Sequence, residues 1–420
     1  MQHKAVKLAT IRVANGPGVT VTPGETNVGL RTRNPKLIGR LVCYCLCGVA
    51  ATLLPVRLAM AQIDNDLGSI LPTGFLDVST IPPAPASPDL NPYGVAFVPT
   101  GFPPSRKLSP GDILVSNFNN RKNIQGTGIT ITRVRPDGET STFFQGTFAP
   151  PTDGGLTTAL GVLRAGFVVV GQLPNSSGNK NGTPQQGSLL FLDNNGNLVL
   201  KYFNVNGPWD LAIDDHVDTA KIFVSNVLSG TVVRLEVSVG LNNVISVSNP
   251  TEIAHGYAFG PNASAFVVGP TGLAFDAQAQ PHVLYVASTS DNQIFKIPNA
   301  DMATSSVDKG TLVYDDPVHL HGPLALALAP NGNLLTSNGD AINVTPPLSP
   351  PNQLPSEIVE FTNGGQFIGQ LSIDSAPGAA FGIAIVPVSA IAPVSVNTAR
   401  IALVNDDDNT IIVQTVNAGE

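Results

Sequence analysis

GPTGLAFDAQAQPHVLYVASTSDNQIFKIPNA, residues Gly269 to Ala300, holds three short apolar runs separated by turn formers. A Gly/Pro turn leads into Gly272–Phe275, a polar loop into Val283–Ala287, and a Ser/Asp/Asn turn into Gln293–Ile297. Apolar runs of this length between such turns read as consecutive antiparallel strands.

The unit recurs. Apolar openers stand at Tyr93–Phe97, Leu160–Leu163, Trp209–Ile213, Thr271–Phe275, Leu324–Leu328 and Phe381–Ile385. Each is followed by a second run ending in a polar residue: Asn117, Gln172, Asn226, Ser288, Asn338 and Asn405. Third runs follow, and in three copies a tight turn (Pro136-Asp-Gly138, Asn194-Asn-Gly196, Asn363-Gly-Gly365) leads to a fourth. Asn-Gly and Asp-Gly are hairpin chemistry. A four-stranded antiparallel sheet repeating about every fifty to sixty residues cannot bury both faces alone, so the copies must pack in a ring. The sequence therefore predicts an all-β fold, a six-bladed β-propeller over residues 91–420. Small residues in the openers, such as Gly94, Ala212 and Gly272, suit a crowded axis. The sixth copy supplies only three runs, and the chain then ends. Phe75–Ile81, within residues 62–90, is the strand that should pair beside Thr410–Val416 and close the ring, with the linker PPAPASP following it.

Residues 1–61 are of another kind. Arg31, Arg33, Lys36 and Arg40 precede an uncharged apolar run from Leu41 to Val56, and Ala59-Met60-Ala61 supplies the small residues an export peptidase reads. The segment is expected to be a cleaved secretory signal with an extended N-terminal region, leaving a chain that begins at Gln62. The run is short for a membrane anchor and is closed by Pro55 and Arg57. All three cysteines (Cys43, Cys45, Cys47) lie within it, so the exported part has no thiol. Residues 1–61 also carry eight Lys/Arg and one Asp/Glu, leaving 14 basic against 29 acidic residues and a net charge of −15. Such a surface repels nucleic acid and anionic lipid and favours solubility or cationic partners; no nucleic-acid partner is expected. The expectation is a periplasmic or extracellular protein with no stable membrane insertion.

The pattern Gly-Pro-x-Gly-Leu-Ala-Phe-Asp, followed by Leu-Tyr-Val-Ala-Ser and Asp-Asn-Gln-Ile, resembles the NHL repeat family and, more loosely, the gluconolactonase-like propellers. The resemblance spans about residues 90–416 and is strongest in the fourth copy. It implies a six-bladed propeller and little chemistry, because propellers host enzymes and binding scaffolds alike. Some NHL-type enzymes, amidating lyases among them, hold zinc with histidines from several blade entrances. Here His319 and His321 bracket the fifth entrance, and alternate residues of an extended segment point the same way. The other entrances carry Tyr93, Leu160, Trp209, Thr271 and Phe381, so a zinc set is not expected. Gluconolactonase-like enzymes bind a divalent cation with a Glu, Asn and Asp set at the channel mouth. Asp210 sits at a comparable entrance, but no matching Glu opens the first copy, and a turn or inter-blade role is the simpler reading. Asn405–Asn409 lacks the glycine and downstream glutamate of a calcium loop.

The expected function is that of an exported binding or interaction module for a small molecule, glycan or protein, with no catalytic residues and no cofactor. A metal-dependent lactonase-type hydrolase or lyase, and a structural envelope component, are the alternatives; a stoichiometric divalent cation in purified protein would favour the enzyme. Strand alternation puts the second-to-third loops and the blade entrances on one face. That face holds the long loops Phe118–Gly128, Leu173–Gly187 and Gly339–Ser356 together with Tyr93, Trp209, Asp210, His319, His321 and Phe381, which are the candidate ligand-binding residues.

Overall fold

A computed structural model describes residues 62–63, 68–72, 79–81, 89–262, 264–339, 341–342, 357–387, 390–391 and 398–417. The expected export signal, the whole Pro-rich linker PPAPASP, residues 75–78 of the expected closing strand and most of 339–356 lie outside them.

The described chain forms six mainly four-stranded antiparallel blades in a propeller ring, and it contains no α-helix. Blade one comprises Asp89–Phe97, Ile113–Asn120, Thr130–Val134 and Thr140–Gln145, ordered from axis to rim. Blade two comprises Leu156–Leu163, Phe167–Gln172, Ser188–Asp193 and Leu198–Tyr202. In blade three Pro208–Asp215, Thr219–Asn226 and Thr231–Val239 are followed by Thr251–His255, with a parallel two-residue strand, Val307–Asp308, outside it. Blade four comprises Pro270–Asp276, Val283–Ser288, Gln293–Pro298 and Thr311–Tyr314. Blade five is built from Pro323–Leu328, Leu334–Asn338, Glu357–Phe361 and Phe367–Ser372. Blade six has Ala380–Pro387, Thr398–Asn405 and Thr410–Asn417.

The sixth blade's fourth strand is the expected N-terminal one, described over Ser79–Ile81 and paired as Ser79↔Val413, Thr80↔Ile412 and Ile81↔Ile411. The N-terminal segment also extends blade five. Gln62–Ile63 pairs antiparallel with Gln370–Gly369, and buried Glu360 accepts hydrogen bonds from Ser69 Oγ (2.6 Å) and the amides of Ile70 and Leu71.

The second strands are almost wholly buried because both of their faces are covered by neighbouring blades; hence runs such as Phe167–Gln172, apolar on both sides. Each pair of adjacent blades encloses its own apolar core, six in all around the ring. Each fully buried Leu, Ile or Val in these layers contributes about 1.5–3 kcal/mol.

Every inner strand carries a bulge at the same level. The register slips between Pro92 and Val95, Leu156 and Leu160, Pro208 and Leu211, Pro270 and Leu273, Pro323 and Leu326, and Ala380 and Ile383. The bulge frees backbone groups, and hydroxyls take them up in an alternating scheme. In blades one, three and five a second-strand serine accepts from the bulged amide of its own blade and donates to the next blade. Thus Ser116 donates to Thr157 O (2.7 Å), Ser225 to Thr271 O (2.6 Å) and Ser337 to Phe381 O (2.6 Å). In blades two and four threonines donate to the next blade instead: Thr157 to Pro208 O (2.9 Å), and Thr271 and Thr289 to Pro323 O (3.1 and 2.6 Å). Between blades six and one the described residues show no such hydroxyl. Gly382 there lies so close to the Tyr93 carbonyl that a Cβ would overlap it.

One expectation is corrected. Leu160, the expected entrance of blade two, instead pairs with Val170 and is level with Val95 and Leu211. The blade-two entrance is Thr158, which the apolar pattern passed over because it is polar.

Candidate binding cleft on the entrance face

The bulges turn the entrance residues toward the axis, where they meet. Tyr93 of blade one stacks on Phe381 of blade six (centroids 4.2 Å, 24°) and on Phe118 (4.6 Å, 14°). Trp209 of blade three meets Tyr93 at 5.8 Å and Phe118 edge-on at 5.6 Å. Tyr93, Trp209 and Phe381 are 1%, 1% and 2% exposed, so these rings plug the channel. Their stacking surface is spent on one another. The Trp209 Nε1–H finds no acceptor within the plug.

Asp210 is buried directly behind Trp209. Its Oδ1 accepts from the Leu211 amide (2.8 Å) and its Oδ2 from the Leu273 amide of blade four (3.0 Å). Burial pushes its carboxyl well above the usual range, and the two amide donors offset this only in part. His319 is half-buried, stacks on Phe367 (3.7 Å, 12°) and shares Nδ1 with Asp316 Oδ2 at 2.6 Å. Burial alone would raise the Asp316 carboxyl, but His319, the Val318 amide and the Tyr314 hydroxyl together hold it below its ordinary value. The His321 amide donates to Asn338 Oδ1 (2.8 Å), and Asn338 Nδ2 donates to the His319 carbonyl (2.9 Å). Both histidines thus belong to the turn that leads into blade five. The six candidates therefore fall into three groups: an axial plug, an inter-blade strut and a turn. No cluster of three or more His, Cys, Asp or Glu with metal-binding geometry occurs among the described residues.

The concavity of this face lies beside them. A cleft of about 410 Å³ opens among blades six, one and two, and a hairpin from the blade three-to-four connection, Gly260–Asn262 with Phe266–Val268, forms its far wall. Amides dominate its lining: Asn91, Asn119, Asn123, Gln125, Asn175 and Asn179. Lys180 and Asp407 are exposed at its edge. Asn119 Nδ2 donates to Asn123 Oδ1 (2.6 Å), while its buried Oδ1 has no partner. Gln125 Nε2 reaches the Ser264 carbonyl across the cleft (3.2 Å). Phe266 is the aromatic of the lining. It is partly exposed, meets Phe118 edge-on at 6.1 Å, and holds a backbone φ of +61°, a conformation costly for a bulky side chain.

Two of the three long loops expected to carry function, Phe118–Gly128 and Leu173–Gly187, supply seven of the fifteen lining residues, including five of the six amides. The density of Asn and Gln within them was a readable signal. Phe266 was not legible, because its place depends on a hairpin inserted between two blades.

No family model matches the sequence, and no curated protein matches it. Among solved structures the chain is similar to a gluconolactonase from Xanthomonas campestris, with 14% identity over 86% of this chain and 96% of that one and a TM-score of 0.50. It is also similar to an alpha-L-arabinanase from Penicillium chrysogenum complexed with arabinobiose (11%, 81% and 98%, 0.46) and to the C-terminal WD40 domain of Sif2 (10%, 81% and 98%, 0.41). Identities this low bear on the fold alone; the first of these accords with a six-bladed propeller.

Proposed function

We propose that the chain is a binding module whose ligand occupies the amide-lined cleft, and that the ligand is a small molecule or glycan end bearing several hydroxyl or amide groups. The observation that carries this reading is the convergence of six amide side chains and one strained aromatic on a single concavity. Amides both donate and accept, which matches hydroxyl-rich ligands, and a partly exposed ring offers an apolar face beside them. The volume falls in the ordinary range for small-molecule sites. Long loops on a rigid ring are where recognition concentrates. Exported location, read from Arg31 to Ala61, belongs to the same proposal. No helix among the described residues is long and apolar enough to cross a membrane.

The test is a panel of soluble mono- and oligosaccharides titrated against wild type, Phe266→Ala and Gln125→Ala by NMR. A binder should be weakened at least about tenfold by Phe266→Ala and measurably by Gln125→Ala. A saccharide that binds equally well to both folded variants places the site elsewhere.

A further inference from the structure

Behind the aromatic plug the axial channel widens toward the opposite face into a funnel of about 340 Å³. All six blades build its wall. One tier consists of Val95, Leu160, Leu211, Leu273, Leu326 and Ile383; a more exposed tier beyond it ends at Val386. No charged or hydrogen-bonding side chain lines the funnel. It is therefore a blind, aliphatic socket, closed at one end by packed rings and open at the other. Backbone groups of the inner strands also face the funnel, but its side-chain wall is aliphatic throughout and gains by taking an apolar chain.

Beside Val386 at the funnel's edge, in the layer between blades six and one, stands a charge with no ion-pair partner among the described residues. Arg400 stands directly opposite Val386 in the ladder of blade six, so the two side chains share a sheet face with backbones about 4.8 Å apart. The guanidinium carbon lies 5.7 Å from the Phe97 ring of blade one, and among the described residues no carboxylate or other acceptor joins it. Burial pushes the guanidinium's pKa down, with no neighbouring charge to offset the effect. The sequence between the two strands, residues 388–397, contains no Asp or Glu. A half-buried guanidinium without an anion is costly, and the cost is relieved when an anion arrives.

We propose that the funnel takes the alkyl chain of a single-chain carboxylate amphiphile, with Arg400 pairing with its head group at the rim. The apolar wall from six blades selects the chain, the plug limits its depth, and the Arg400 guanidinium selects a charged head over a neutral one. This site lies on the face opposite the amide-lined cleft, and the two can be tested separately.

The probes are decanoate and decanol, each below the concentration at which it aggregates, titrated calorimetrically into the full chain. Wild type should take up a single decanoate per chain. Arg400→Gln should weaken decanoate about tenfold and leave decanol within about twofold. Ala384→Phe, which fills the wall, should weaken both. Absence of saturable one-to-one decanoate binding to wild type overturns the proposal, as does equal decanoate affinity in folded Arg400→Gln. Should Arg400→Gln not fold, undiminished decanoate binding by Ala384→Phe overturns it alone.

Discussion

Asp210 stands at a level of the ring where the other five blades carry Gly94, Ala159, Gly272, Ala325 and Gly382. Small residues there let neighbouring backbones approach; the one carboxylate instead accepts an amide from the next blade. Its folded-state pKa is raised, so the stability it contributes is fully present below its unfolded value of 3.8 and is lost as pH rises through the folded value. Asp210→Asn mimics the neutral acid and removes that loss. The melting temperature of the variant relative to wild type should therefore climb as pH rises above the unfolded value of 3.8. A difference that stays flat with pH contradicts the assignment; a constant offset does not. The structural reading of Asp210 was available from the sequence, as was that of the Asn series ending the second strands, where Asn226 Oδ1 accepts the Asn206 amide and Asn405 Oδ1 the Asp408 amide. What the sequence could not supply was the direction of the entrance aromatics. An aromatic at a channel mouth reads the same whether it faces solvent or three other rings, and only the bulge geometry decides between them.

The inter-blade hydroxyls belong to strands rather than to single residues. Each joins a bulged inner strand to a partner some forty or fifty positions away, so the Val-Ser-Asn and Thr-Ser-Asn endings of the second strands gave no local hint of their serine's task. Ser225→Ala should leave the Asp210 amide and the Thr271 carbonyl without this partner and cost about 1–3 kcal/mol in denaturant melts. Ser229→Ala, which touches only the Thr231 hydroxyl at the surface, should be close to neutral. Equal effects would show that the bridge carries no stability. At this scale the first two strands of each blade were legible from apolar run and turn chemistry, with the blade-two entrance displaced by two residues. The outer strands of blades three and four were not. They return after excursions of about a dozen residues without an Asn-Gly turn, and Thr251–His255 and Thr311–Tyr314 are too short and too polar to declare themselves.

Over the whole molecule, six copies and a missing last strand were enough to predict both blade number and closure. Deleting residues 62–82 removes the Ser79–Ile81 pairing, the Gln62–Ile63 edge and the Ser69, Ile70 and Leu71 donors to buried Glu360 together, leaving it only the Asn333 amide. The melting temperature should fall sharply, and an unchanged melt would contradict closure. The ring so closed is not uniform. Hydroxyl bridges join the blades from one through six in succession, but the joint between six and one is crossed near the entrance face by Asn91, whose Nδ2 donates to Asp406 Oδ2 (3.0 Å) and whose amide donates to Asn409 Oδ1 (2.8 Å). Asn91 and Asp406 are also walls of the amide-lined cleft. A molecule held there grips both sides of the seam and acts as a splint. By mass action it then raises the free energy of opening by RT ln(1 + [L]/Kd), so occupancy of the cleft and integrity of the ring become one linked equilibrium.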